Sequence, residues 1–213
     1  MIIAVDGPAA SGKGTLARRL AGHFGLAHLD TGGLYRAAAL HALACGDPAD
    51  PAVAEAGACK VTAADLADPR LREEDVAQAA SVVAAIPGVR QALLAFQRGF
   101  AHHPPGGAKG AVLDGRDIGT VICPDADAKL FVTASLEARA QRRFKELQES
   151  GDTAIYARVL QDMKDRDARD SRRRAAPLLP ADDAFVLDTT ALDADRAFAE
   201  ALDFIGRKLA GSA

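Results

Sequence analysis

The sequence has no tryptophan, and aromatic residues make up only 5% of its 213 positions. Rings on which bases could stack are scarce, and a net charge of −3 offers no basic face to a phosphate backbone. Nucleic acid is therefore excluded as a partner. The three cysteines, Cys45, Cys59 and Cys123, are odd in number, far apart and never in C-x-x-C spacing. That excludes a disulfide framework and a zinc site, and it leaves buried structural thiols as the expectation. His102 and His103 likewise have no partner at metal-ligand spacing. No apolar run approaches the roughly 18 residues of a membrane helix. No charged-then-apolar leader precedes the first strand, so a cytoplasmic protein away from the membrane is expected. Internal repeats and low-complexity tracts are also missing.

Apolar residues at 49% and charged residues at 26% describe a globular chain, long enough for one full core. The stretch that organises it comes first. Ile2-Ile3-Ala4-Val5-Asp6 reads as a short apolar strand, Gly7-Pro8-Ala9-Ala10-Ser11-Gly12 as a glycine-bounded loop, and Lys13-Gly14-Thr15 as the start of a helix. A strand that delivers such a loop onto a helix N-terminus builds an anion site. Backbone N–H groups converge there, the helix dipole adds partial positive charge, and Lys13 reaches β/γ-phosphate oxygens. Gly14 stands where the usual pattern has a Mg²⁺-binding hydroxyl, with Thr15 and Ser11 nearest. No metal ligand from the protein is therefore assigned. A glycine turn without a ligand is the bland alternative, which the strand, the spacing and the helix together disfavour.

Short continuous apolar strands alternate with helices further along. This implies an α/β fold with a five-stranded parallel sheet flanked by helices on both faces. The expected strands are 2–6, 27–30, 111–114, 129–133 and 184–188. Residues 31–107 form a helical excursion and 140–170 a charged lid and arm, leaving 1–30, 108–139 and 171–213 as the core of a single domain. Residues 46–75 are the least regular, with turn signals at Asp47-Pro48 and Asp68-Pro69. Two helices meet at Ile86-Pro87-Gly88, because proline ends the first.

Asp6, Asp30 and Asp114 each end a strand, on the side where open parallel sheets bind ligands. Thr31-Gly32-Gly33 opens a helix that carries Arg36, a second anion-friendly turn. Arg116-Asp117 lies in the loop directly after a strand. Taken alone, Arg36, Ser81 and Arg90 read as ordinary helix residues, and Arg116-Asp117 as a surface ion pair. A helix from 153 to about 174 is dense in charge, much of it a solvated face. Yet Arg166, Arg169 with Asp170, and Arg173 recur at one-turn spacing and share a side suited to two phosphates brought together. An amphipathic helix over 193–209 closes the fold.

Taken together, these runs resemble the bacterial cytidylate kinase family of P-loop nucleoside-monophosphate kinases. The resemblance rests on residues 6–15, Asp30-Thr31-Gly32-Gly33-Leu34-Tyr35-Arg36, Ala79-Ala80-Ser81 through Pro87 to Arg90, Asp114-Gly115-Arg116-Asp117, Arg166-Asp167-Ala168-Arg169-Asp170 and Ala176-Pro177-Leu178-Leu179-Pro180. Six separated motifs in order span most of the chain. The resemblance implies transfer of the γ-phosphoryl of ATP to CMP or dCMP with Mg²⁺, in pyrimidine nucleotide metabolism, by a monomer.

It further implies a set of roles. Gly7, Pro8, Ala9, Ala10, Ser11, Gly12, Lys13, Gly14 and Thr15 would bind ATP. Thr31, Arg36, Arg116 and Arg173 would hold the monophosphate, Ser81, Arg90 and Asp117 would read cytosine, and Arg166 and Asp170 would take the sugar. Lys13, Arg116, Arg166 and Arg173 would neutralise charge in the transition state. A carboxylate at the base edge accepts from the exocyclic amine of cytosine and opposes O4 of uracil. Two features depart from the family pattern: residues 53–75 are too short for its strand-rich insert, and Thr31 stands in place of the more usual serine.

Two other readings compete. The nearest is a small P-loop kinase acting on a different monophosphate or on a metabolite hydroxyl. The other is a nucleotide switch such as a GTPase, against which no Asn-Lys-x-Asp run occurs.

Overall fold

A computed structural model describes residues 1–151, 153–173 and 176–210. Its five strands, β1 (Ile2–Asp6), β2 (Ala27–Asp30), β3 (Ala111–Gly115), β4 (Ala128–Thr133) and β5 (Phe185–Asp188), form one parallel sheet. The strand order is β2-β3-β1-β4-β5. Eight α-helices among the described residues surround it: α1 (Lys13–Phe24), α2 (Thr31–Leu43), α3 (Pro51–Ala58), α4 (Glu74–Val83), α5 (Pro87–His102), α6 (Leu136–Glu149), α7 (Tyr156–Arg172) and α8 (Ala194–Ala210).

The strands are apolar throughout because both faces are covered. On one face Ile3, Val5, Val112, Leu130 and Leu187 pack with Leu16 and Leu20 of α1 and Ile205 of α8. On the other, Ala4, Leu29 and Leu113 meet Leu34, Val83, Val89 and Leu93 of α2, α4 and α5. Each fully buried Leu or Ile side chain contributes about 1.5–3 kcal/mol, so these two layers carry most of the stability. A third cluster, Ala140, Leu147, Val159 and Met163, holds α6 and α7 together and rests on Ala9 and Ala10 of the N-terminal loop.

Local chemistry sets the helix ends. Gly25, left-handed at φ 65°, terminates α1 and its N–H donates to the carbonyl of Ala21. Ser135 caps α6 by accepting from the N–H of Ala138. Ile86 is extended and Pro87 opens α5, which produces the expected break after α4. Residues 51–75 contain α3 and two short 3₁₀ turns and no strand, so the shortened insert folds as helix and turn. Helix α7 starts at Tyr156 rather than 153. It ends at Arg172, with Arg173 turned out of helical geometry at ψ 133°, and the expected end near 174 lies outside the described residues.

One expectation is corrected. Cys123 alone among the cysteines is buried; Cys45 and Cys59 sit exposed just beyond the ends of α2 and α3, where helices run out into solvent. Residues Ile118–Ile122 form a π-helical turn that no periodicity announced. The N–H groups of Ile122 and Cys123 donate to the carbonyls of Asp117 and Ile118, five residues back. The turn is anchored from a distance: the buried Asp6 carboxylate accepts from the N–H groups of Ile118 and Gly119, both at 2.8 Å. Burial pushes the Asp6 carboxyl up to about 7, against the pull of those two donors. Asp6→Asn, which must turn an amide N–H toward one of them, is expected to cost about 1–3 kcal/mol in urea unfolding. An unchanged midpoint would contradict this anchoring.

No single helix among the described residues is long and apolar enough to cross a membrane.

Candidate active site

The register of the sheet gathers the strand-end carboxylates. Val5 and Asp30 both lie opposite Asp114, and Asp6 lies opposite Gly115. Beyond these carboxyl ends opens a cleft of about 880 Å³, bounded by α2 and α4 on one side and by α6 and α7 on the other. Its size is that of a small-molecule site. Thr31, Arg36, Ser81, Arg90, Arg116, Asp117, Arg166, Asp170 and Arg173 all line it, together with Lys13. Residues scattered from 13 to 173 in the sequence therefore face one space.

Ala9 and Ala10, in the loop of residues 7–12, form the floor with Lys13. Gly7 has φ 151°, and a Cβ there would lie 2.0 Å from the carbonyl oxygen of Val132 on β4, so only glycine lets loop and sheet approach this closely. Ala10 and Gly12 are left-handed, at φ 56° and 89°. Such residues interspersed in a turn create a concave run of N–H groups. From Ala10 to Gly14, no backbone N–H finds an acceptor among the described residues.

The loop divides between two spaces. Ala9, Ala10 and Lys13 line the main cleft, whereas Ser11, Gly12 and Thr15 line a second cavity of about 280 Å³ shared with Arg142, Thr189 and Leu192. Gly7, Pro8 and Gly14 line neither and act as framework. The Ser11 hydroxyl is buried without a hydrogen-bond partner among the described residues, and Thr15 is exposed. Lys13 Nζ donates to the carbonyl of Pro8 at 3.3 Å. Burial, and after it the Arg116 guanidinium, pushes the Lys13 ammonium down to about 7.

Paired charges line the cleft above this floor. Arg90 donates to Asp117, both buried, and the Arg90 guanidinium lies 5.6 Å from the centroid of the Tyr35 ring. Ser81 Oγ accepts from Arg169 Nε at 3.2 Å. Arg36 pairs with Asp30 at 2.5 Å, and the Thr31 hydroxyl donates to the carbonyl of Asp114 at 2.8 Å. Asp170, 1% exposed, accepts from Arg116 Nε at 2.9 Å and also from Arg173. Burial alone would raise its pKa, yet Arg116 and Arg173 outweigh it and hold the carboxyl below the usual range. Arg166 is pushed down to about 10 by burial and by Arg116 beside it. Its Nε and that of Arg173 are buried with no acceptor among the described residues.

Several contacts were not legible in the residue pattern. Arg139 donates to the carbonyls of Ala134 and Ala9 and pairs with Asp167 through both terminal nitrogens, tying the loop to α6 and α7. Arg142 holds Thr189, and Arg143 pairs with Glu74 across the cleft mouth. His28 Nε2 lies 2.8 Å from Asp114 Oδ2. Arg139, Arg142 and Arg143 all ride α6, and nothing in their spacing along it names partners so distant in sequence.

Free N–H groups at a helix start, a lysine beside them, and guanidinium groups facing across a nucleotide-sized space suit the handling of two phosphorylated molecules at once. Fold and cleft together define a P-loop phosphotransferase of the nucleotide-kinase type. The family model described as cytidylate kinase matches residues 3–207, and the chain belongs to the cytidylate kinase family. It is 64% identical over 208 residues to the cytidylate kinase of Paramagnetospirillum magneticum, covering 97% of this chain and 98% of that one. It is 62% identical over 203 residues to the cytidylate kinase of Methylocella silvestris, covering 95% and 92%. Among solved structures, an uncharacterized protein from Eubacterium ventriosum shares the fold, with a TM-score of 0.54 at 17% identity over 97% of this chain and 98% of that one.

Proposed function

We propose that the main cleft seats CMP or dCMP, its base against Ser81, Arg90 and Asp117 and its phosphate among Thr31, Arg36, Arg116 and Arg173, while residues 7–15 hold ATP. The reaction is that of the family: the γ-phosphoryl of ATP passes to CMP or dCMP, giving CDP or dCDP and ADP. One observation supports the seat most strongly. The Nε groups of Arg166 and Arg173 are buried and, among the described residues, unpartnered in a cleft already crowded with guanidinium groups. Buried donors without acceptors are costly, and a phosphate with several anionic oxygens satisfies them.

A monophosphate has a second pKa of about 6, so its attacking oxygen carries no proton at neutral pH. No carboxylate is needed as a base, and the residues position and neutralise instead. Lys13 and the free loop N–H groups take the β- and γ-phosphate oxygens. Arg36, Arg116 and Arg173 hold the acceptor phosphate in line, and Arg166 bridges toward the transferring group. Asp170 keeps the Arg116 and Arg173 forks aimed and, with Arg166, meets the sugar. The second cavity, beside Ser11, Gly12 and Thr15, takes the adenosine end of ATP.

Among the described residues no group of three His, Cys, Asp or Glu side chains could cage a metal. Mg²⁺ would instead arrive on ATP and would meet one or two side chains at most. Asp114 is the group that would receive it: its Oδ1 lies 3.7 Å from where a Cβ on Gly14 would stand, so it faces the start of α1. Mg²⁺ held there would supply neutralisation of the phosphate charge that develops during transfer.

The protein acts as a cytoplasmic monomer, and 31–107 and 140–170 close over the two substrates. Unchanged solution scattering on adding a bisubstrate analogue would contradict the closure. Phosphorus NMR on equimolar ATP–Mg²⁺ and CMP tests the reaction itself. CDP and ADP are expected in equal amounts, and loss of ATP without CDP would overturn the assignment.

A Lys13 ammonium that titrates near 7 makes ATP binding proton-linked. Phosphate oxygens favour its charged form, so above about pH 7 the protein takes up a proton as ATP binds, and affinity falls as pH rises further. Calorimetry at about pH 8 in buffers of different ionisation enthalpy reads this uptake directly. Binding enthalpies independent of the buffer would contradict it.

A further inference from the structure

We infer that His28 is a positioning residue for this reaction: its imidazole fixes Asp114 so that a single carboxylate oxygen faces the phosphate loop and receives Mg²⁺ on ATP. The inference rests on the proposed seat of ATP at residues 7–15.

His28 lies on the edge strand β2, and its side chain reaches across to β3, where Nε2 is 2.8 Å from Asp114 Oδ2. Asp114 itself is buried at the end of β3, with β1 and β2 on either side. A carboxylate acceptor places the donated proton on His28 Nε2. The other oxygen, Oδ1, accepts from no donor among the described residues and points toward Gly14, in the first turn of α1. One oxygen is thus held and the other is left for a ligand. Lys13 feels this carboxylate too, because Asp114 is one of the two acidic groups that favour its proton.

The terminal torsion of an aspartate is broad, and without a partner the two oxygens exchange readily. The His28 bond removes that freedom. It is not needed to pair the strands, since the backbone register already joins Leu29 to Leu113 and Asp30 to Asp114. An oriented carboxylate with one free oxygen, backed by an imidazole, is the arrangement in which outer partners tune a metal-facing ligand.

The test titrates Mg²⁺ into the full-length protein saturated with CMP and a non-hydrolysable ATP analogue, with melting temperature recorded for each variant. His28→Phe keeps the ring and removes the donor, and about a 10-fold or greater loss of Mg²⁺ affinity is expected. His28→Gln, whose amide N–H occupies nearly the same place, is expected to recover most of it. Affinity for the analogue without metal should stay the same in both. Equal losses with and without Mg²⁺ would mark His28 as merely structural, and unchanged Mg²⁺ affinity in His28→Phe would overturn its role. Asp114→Asn separates the two claims. If it abolishes the Mg²⁺ effect while His28→Phe does not, only the positioning role fails. If Asp114→Asn leaves Mg²⁺ binding intact, the proposed metal side of the ATP seat fails with it.

Discussion

Replacing Lys13 with alanine is expected to lower kcat by about 10²–10³-fold or more, the range for losing one preorganised partner of transition-state charge, while the protein stays folded. The structure separates the two effects. Lys13 Nζ makes one hydrogen bond among the described residues, at 3.3 Å to the carbonyl of Pro8, and belongs to none of the hydrophobic clusters. Its depressed pKa means that folding opposes its charge rather than drawing stability from it. The sign follows: a lysine with a folded pKa near 7, below its unfolded 10.5, makes stability rise with pH between those values, and Lys13→Ala removes that slope. Circular dichroism melts at two pH values, beside single-turnover rates, check both parts. A variant that is inactive because it is unfolded would contradict the role given to Lys13.

The second large effect concerns the base. Asp117→Ala would strip a buried guanidinium of its partner, and breaking such a pair costs about 3–5 kcal/mol, so the loss of CMP use would be mixed with loss of stability. Asp117→Asn is the cleaner change. Its amide oxygen still accepts from Arg90, while its N–H group now opposes the exocyclic amine of cytosine and suits O4 of uracil. The ratio of kcat/KM for CMP over UMP is expected to fall by about 100-fold or more, because a site built to pair one polar group rejects a mismatch strongly. KM for ATP should stay the same, since Asp117 lines the main cleft and not the second cavity. Parallel losses for CMP and ATP would remove Asp117 from base recognition.

Much of this design could be read from the chain itself, because its signals are local. Apolar runs ending in Asp6, Asp30 and Asp114 mark strands that finish at the cleft, and Gly7 and Gly12 mark a loop that no other residue type forms so easily. The one-turn spacing of Arg166, Arg169 and Arg173 places them on one side of α7, although Arg173 has left the helix. What escaped depends on contacts between distant positions. The π-helical turn exists because Asp6 reaches Ile118, 112 residues on. His28 meets Asp114 across 86 residues, Arg169 meets Ser81 across 88, and Arg139 meets Ala9 across 130. No periodicity encodes such pairs; they appear only once the sheet order sets which strand ends are neighbours. The exposed Cys45 and Cys59 were missed for a related reason, since cysteine is usually buried and only the ends of α2 and α3 show otherwise.

Continuous ADP release from ATP–Mg²⁺, followed across CMP, dCMP, UMP, AMP and GMP, tests the proposed base recognition most directly. With the base read by Ser81, Arg90 and Asp117 as proposed, turnover is expected with CMP and dCMP, with UMP much slower and the purine monophosphates inert. Comparable turnover with UMP or AMP would contradict that recognition, leaving a P-loop kinase whose acceptor is chosen by something other than these three residues.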